Sequence, residues 1–247
     1  MADWNDTSRN AQRLGSVPRA GGDVTGRVTY DEGLRKYMLS IYNYMTSGVL
    51  LTGIVALVAA STGLAYAFAS GPLMWIVALA PLGFVLAMSF GLNRMNHGTL
   101  QALFWSFAIV MGLSMSTIFL VFTGESIATT FFATAGAFAG LSLYGYTTKK
   151  DLSGFGTFLI MGLFGLIIAS LLNLFLQSGT LDLVISGLGV LIFAGLTAYD
   201  TQRLKEQYSY VRGTEMMGKV VIMGALNLYL DFINMFMFLL RFLGNRE

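Results

Sequence analysis

Apolar and polar positions alternate along this chain in long blocks. Apolar runs cover roughly 47–70, 72–92, 99–122, 127–147, 154–177, 180–200 and 217–242, with short polar or charged stretches between them. A bilayer core about 30 Å thick takes about 20 apolar residues per helix. Each run is therefore predicted to be a transmembrane helix, and short connections make neighbours antiparallel. The fold class that follows is an all-α membrane protein, a seven-transmembrane-helix bundle. Residues 1–28 are polar and rich in Gly, Arg and Asp, with no secretory signal core. They read as a disordered cytoplasmic tail, with 29–247 as the transmembrane domain.

Composition strengthens this reading. Only 11% of the residues are charged and 55% are hydrophobic, where a soluble domain carries about 25% charged residues. The lipid bilayer is thus the first partner. A net charge of +2 gives no footprint for nucleic acid. There is no cysteine and one histidine, which excludes disulfides and thiolate metal sites and makes a histidine metal cluster implausible. No cofactor is expected, and nothing in the sequence demands more than a monomer.

The cations set an orientation. Of the 15 Lys and Arg, only Arg241 and Arg246 fall on one side of the alternating spans. The others lie before the first span or in the connections at Arg94, Lys149–Lys150 and 203–219. The positive-inside rule puts the N-terminus in the cytoplasm and the C-terminus outside. Gly136 and Gly140 form a GxxxG pair among alanines in the fourth span, a pattern that lets membrane helices pack closely.

The candidate chemistry lies in the polar residues within the apolar runs. In the seventh span Asn227, Asp231 and Asn234 recur at i, i+4 and i+7 and share one helical face. A carboxylate in mid-membrane costs roughly 2.5–3.5 kcal/mol on insertion scales, so Asp231 is expected to have a partner. Asp200, at the end of the sixth apolar run with Thr197 one turn earlier, is the nearest candidate. Two close carboxyls resist simultaneous ionisation and titrate as a coupled pair. Protonated, they can share a hydrogen bond; deprotonated, they repel unless a cation bridges them. Calcium takes about six to eight oxygen ligands. Asp200 and Asp231 supply too few alone, so weak calcium binding suited to passage is expected, with help from Asn227, Asn234, backbone or water. Arg94, after the second span, could pair with an ionised aspartate. His97, Glu125, Asp182 and the turn Lys149-Lys150-Asp151 read as interfacial or helix-starting residues.

The run Ala225-Leu-Asn-Leu-Tyr-Leu-Asp-Phe-Ile-Asn-Met-Phe-Met-Phe-Leu-Leu-Arg-Phe-Leu-Gly244 resembles the C-terminal signature of the Bax inhibitor-1 family, bacterial branch. Tyr199-Asp200 followed by Gln202, the turn Lys149-Lys150-Asp151-Leu152-Ser153 and the lead-in Asp31-Glu-Gly-Leu-Arg-Lys-Tyr-Met38 are similar to it as well. The resemblance implies a bundle with its last helix central, a bacterial inner-membrane location and a pH-sensitive calcium leak. It implies a hydrogen-bonded aspartate pair on helices six and seven, carried here by Asp200 and Asp231. It also implies an arginine acting on that pair, matched to Arg94 through the register of Trp105–Gly112.

The leading expectation is a calcium leak channel gated by Asp200, Asp231 and Arg94, with Asn227, Asn234 and Thr197 in support. The alternative is a non-conducting regulatory membrane protein that binds a membrane-bound ATP-dependent protease or another partner. An intramembrane aspartyl protease would also use two membrane aspartates. It would need Gly-x-Gly-Asp where Leu228-Tyr-Leu-Asp231 stands, and a Pro-Ala-Leu element. The three prolines, Pro18, Pro72 and Pro81, leave none near the C-terminus. The chain is not expected to be an enzyme.

Overall fold

A computed structural model describes residues 21–69 and 71–245 of the chain. Among these the elements are α1 (Gly21–Ser61), α2 (Leu64–Phe68), α3 (Gly71–Gly91), α4 (His97–Met115) running into a 3-10 turn (Ser116–Leu120), α5 (Gly124–Thr147), α6 (Ser153–Leu176), α7 (Gly179–Val211) and α8 (Met216–Leu243). Seven helices are long and apolar enough to cross a membrane. The chain divides into two compact units, residues 1–36 and 37–247. Among the described residues the first holds only the opening of α1. The expected disordered tail falls mostly outside the described residues. From Gly21, however, the chain is helical, inside the stretch expected to lack structure.

Six of the seven predicted spans start within a few residues of a helix. The first does not. The spanning helix is Glu32–Ser61, so the expected 47–70 misses its beginning and overruns its end. Its early turns carry charged and tyrosine residues that no apolar run reveals. Its end is local chemistry: Thr62 N donates to Val58 O, Gly63 N donates to Ala60 O, and Gly63 adopts a left-handed φ of 79°. Glycine takes that conformation without a Cβ clash. Polar caps start three of the other helices. Asn96, Thr123 and Ser178 side chains accept from Thr99 N, Ser126 N and Leu181 N. Glu125 and Asp182 lie in first turns, as expected, beside these caps.

In the second unit α8 is the central helix. Its most apolar stretch is 67% buried, against 11% for α3 and α6. It packs on α7, α5 and α4. Phe107 meets Tyr229 edge-on with centroids 5.0 Å apart, and Phe138 meets Phe232 at 5.6 Å. α6 is the reverse case. Phe155, Phe158, Phe164, Leu174 and Phe175 are exposed, as suits a helix whose solvent is lipid.

Two polar chains tie the core together. Thr52 Oγ1 donates to Ala108 O at 2.8 Å and lies 2.7 Å from Tyr229 Oη. A threonine hydroxyl has one proton, so Tyr229 is the donor in the second bond. The chain joins α1, α4 and α8. In the other, Thr201 donates to Thr197 O, so Ser142 donates to Thr201 at 3.0 Å and Tyr42 donates to Ser142 at 2.5 Å. That chain joins α1, α5 and α7.

The GxxxG expectation is corrected. A Cβ at Gly136 or Gly140 would meet nothing within 4 Å. Both face outward, because Thr134, Phe138 and Ser142 supply the buried face of α5. The close approach is made by Gly145, where a Cβ would strike the backbone carbonyl of Ala198 in α7.

Candidate functional site

α7 and α8 are joined by a turn at 212–215 and lie side by side in antiparallel fashion. Two glycines fix their register. A Cβ on Gly224 would come 2.7 Å from Leu204 Cδ2, and one on Gly189 would come 2.5 Å from the Phe238 ring. This register sets Asp200 opposite Asp231. Asp200 is not at a helix end, as the apolar run implied. α7 continues to Val211, and its 33 residues span about 50 Å at about 1.5 Å per residue. Asp200 therefore lies inside the helix pair, close to the level of Asp231 near the middle of α8.

The Asp200 and Asp231 side chains face each other across the α7–α8 contact, within reach of a hydrogen bond. A bond between two carboxyl oxygens needs a proton on one of them, so the pair can be tied only while it holds one. Asp200 is half-buried, while Asp231 is only 5% exposed. Asp231 Oδ2 is buried without any hydrogen-bond partner. A buried polar atom left unpaired is destabilising by about 1–3 kcal/mol, and such an atom calls for an explanation.

The pair opens into a cavity of ≈ 790 Å³ lined by α6, α7 and α8. From α8 come Asn227, Asp231, Asn234, Phe238 and Arg241, spaced by four, three, four and three along one face. The polar stripe read from the sequence thus faces this cavity, with Asn234 Nδ2 donating to Leu230 O at 2.8 Å. From α7 come Asp182, Phe193, Tyr199, Asp200 and Arg203; from α6, chiefly Ile160, Leu163, Ile167 and Leu171.

Two expected members lie elsewhere. Arg94 is exposed in the turn between α3 and α4 and does not line the cavity. The reason is packing, since the helix it follows packs on α4 and α2. The arginine beside the pair is Arg203, which lines the cavity and interacts electrostatically with Asp200. The signal was present in the sequence, because Arg203 is three residues beyond Asp200 and shares its face if the helix continues. Thr197 is fully buried and does not line the cavity. It donates to Phe193 O at 2.8 Å, and its carbonyl ends the Tyr42–Ser142–Thr201 chain. Its hydrogen bonds are thus spent within α7. His97 lies over Gly218, where a Cβ would be 3.2 Å from its ring.

α7 also clamps the turn between α5 and α6. Gln202 Oε1 accepts from Leu152 N and Gln202 Nε2 donates to Lys150 O, both at 2.8 Å. Lys205 Nζ donates to Tyr146 O at 2.7 Å and sits 5.2 Å above the Tyr146 ring. Within the turn, hydrogen bonds from the Ser153 side chain and backbone N–H hold the Asp151 carboxyl below its usual range. The charged turn read at Lys149-Lys150-Asp151 is thus an anchored one.

Residues 34–247 match the family model described as inhibitor of apoptosis-promoting Bax1. The chain belongs to the Bax inhibitor-1 family. Among its relatives in the family, a protein of Rickettsia prowazekii is 50% identical over 222 residues, covering 89% of this chain and 93% of the relative. A protein of Caulobacter vibrioides is 45% identical over 98% of this chain and 100% of its own length. The inner membrane protein YbhL of Escherichia coli is 45% identical over 93% of this chain and 98% of its own. With seven helices able to span a membrane, this Bax inhibitor-1 family chain is a multi-pass protein of the bacterial inner membrane.

Proposed function

We propose that the chain is a pH-sensitive calcium leak channel whose gate is the Asp200–Asp231 pair. The observation that carries this reading is the pairing of two carboxyl side chains inside the α7–α8 helix pair, at a cavity lined by the Asn227–Asp231–Asn234 face. When the pair shares a proton, it ties α7 to the central α8 and holds the pore shut. When that proton leaves, two negative charges face each other, the tie is lost and α8 is released. Calcium then passes along the carboxylates and amides, which hold too few oxygens for storage. Flux therefore rises with pH. Arg203 at the cavity takes the part that the resemblance gave to Arg94, offering a counter-charge to the ionised pair. The cation-rich connections, including the α7–α8 turn with Arg212, face the cytoplasm under the positive-inside rule. The pair performs no hydrolysis in this scheme.

The test is calcium flux into proteoliposomes from about pH 5 to about pH 8, for the parent chain and Asp231→Asn. The amide keeps the volume and a hydrogen bond but cannot lose the shared proton. Its flux is expected to be flat across the range. A pH dependence unchanged from the parent would sink the mechanism.

A further inference from the structure

The cavity is larger than a dehydrated metal ion needs. Its ≈ 790 Å³ falls in the range of about 300–1,000 Å³ that holds drug-sized organic molecules. Its chemistry is divided. At one place lie the acid pair, with Asp231 Oδ2 fully enclosed and unpartnered, and the amides of Asn227 and Asn234. Opposite them is a hydrocarbon wall from α6. Ile160, Ile167, Leu171 and Leu174 line the cavity and are also 41–69% exposed. That wall is therefore continuous with the outer, lipid-facing surface of the bundle. Among the described residues no three His, Asp or Glu gather to hold a metal ion.

We propose that this cavity is a binding site for an amphiphilic organic ammonium ion, its head on Asp231 and Asp200 and its tail along α6. An ammonium head carries three N–H donors. Asp231 Oδ2, an oxygen of Asp200 and an amide oxygen of Asn227 or Asn234 match that number, whereas calcium would want about six to eight oxygens. Phe193, Phe238 and Tyr199 add aromatic surface of the kind that favours organic cations. The other charged groups facing the cavity are Asp182, Arg203 and Arg241. Both arginine side chains are exposed at the protein surface, and Arg203 lies beside Asp200, so an ammonium head competes with it for the pair. A tail of about a dozen carbons can leave the cavity over the exposed α6 wall and enter lipid without crossing another helix. The proposal rests on the cavity and its orphaned oxygen, not on calcium passage.

The experiment uses the full chain in lipid nanodiscs at about pH 7, where an alkylamine is protonated. A dansyl-undecylamine is titrated and its fluorescence corrected with empty nanodiscs. The matched dansyl-undecanoic acid serves as the anionic control, and dodecylamine and dodecanol as competitors. Saturable binding of the amine is expected, displaced by dodecylamine and not by dodecanol. Asp231→Asn should weaken it at least about tenfold. Ile167→Trp, at an exposed α6 position where folding is not at risk, should weaken it similarly by filling the tail groove. Absence of a saturable signal, equal binding of amine and acid, or parent-like binding by both variants would overturn the proposal. Because the readout needs no ion flux, it stands or falls separately from the leak mechanism.

Discussion

The sharpest energetic test concerns the bond that fastens the central helix. Thr52, 2% exposed, donates its single proton to Ala108 O and accepts from Tyr229, which is fully buried. The two partners are therefore unequal. Tyr229→Phe removes a donor and leaves Thr52 still donating to Ala108 O, so no buried donor is orphaned. Its expected effect is one interhelical membrane hydrogen bond, about 0.6 kcal/mol and at most about 1.7. Thr52→Val removes both the acceptor for Tyr229 and the donor to Ala108 O, leaving a buried phenol donor unpaired. Its expected effect is about 1–3 kcal/mol. In the double variant both partners are apolar and of nearly the original shape, so it should be no less stable than Thr52→Val alone. Equilibrium unfolding by sodium dodecyl sulfate titration in mixed micelles, followed by helical circular dichroism, measures all three. If Tyr229→Phe proves as damaging as Thr52→Val, the assigned direction of donation is wrong.

Three other outcomes follow from the same packing. Gly145→Val should destabilise by about 1–3 kcal/mol or more, since rigid backbone at Ala198 must move; Gly136→Val, facing open space, should shift the unfolding midpoint negligibly. Under the proposed leak mechanism, Arg203→Gln should move the pH midpoint of calcium flux upward, because the ionised pair loses its neighbouring cation; Arg94→Gln should leave that midpoint in place, and the reverse pattern would assign the counter-charge to Arg94. Gln202→Leu should open the turn at 148–152 to limited proteolysis, because Leu152 N and Lys150 O both lose their partner; a parent-like digestion pattern would refute the clamp.

The candidate site was legible to the extent that its chemistry is local. Asn227, Asp231 and Asn234 share a face by helical periodicity alone, and the structure turns that face to the cavity. Asp200 was recognisable as a partner, but its depth was not. Hydropathy ends the sixth run where Asp200, Arg203, Lys205 and Glu206 begin, whereas the backbone continues helical to Val211 because nothing there breaks its hydrogen bonds. The same blindness moved the first span, whose opening turns are polar while its stop depends on Gly63. Arg94 was assigned through register with a family, which carries no information about which helix packs on which.

The sequence by itself determined that seven helices cross a bilayer, because apolar runs of sufficient length have no other stable place. It also determined which residues on each helix could carry charge chemistry. Only the tertiary structure decided which of them meet. Gly224 and Gly189 set the α7–α8 register that joins Asp200 to Asp231, and Gly145, not Gly136 or Gly140, makes the close crossing to α7. Small residues permit close approach wherever they occur. Whether a neighbour fills the space depends on the packing of every other side chain around it, and a linear pattern does not contain that.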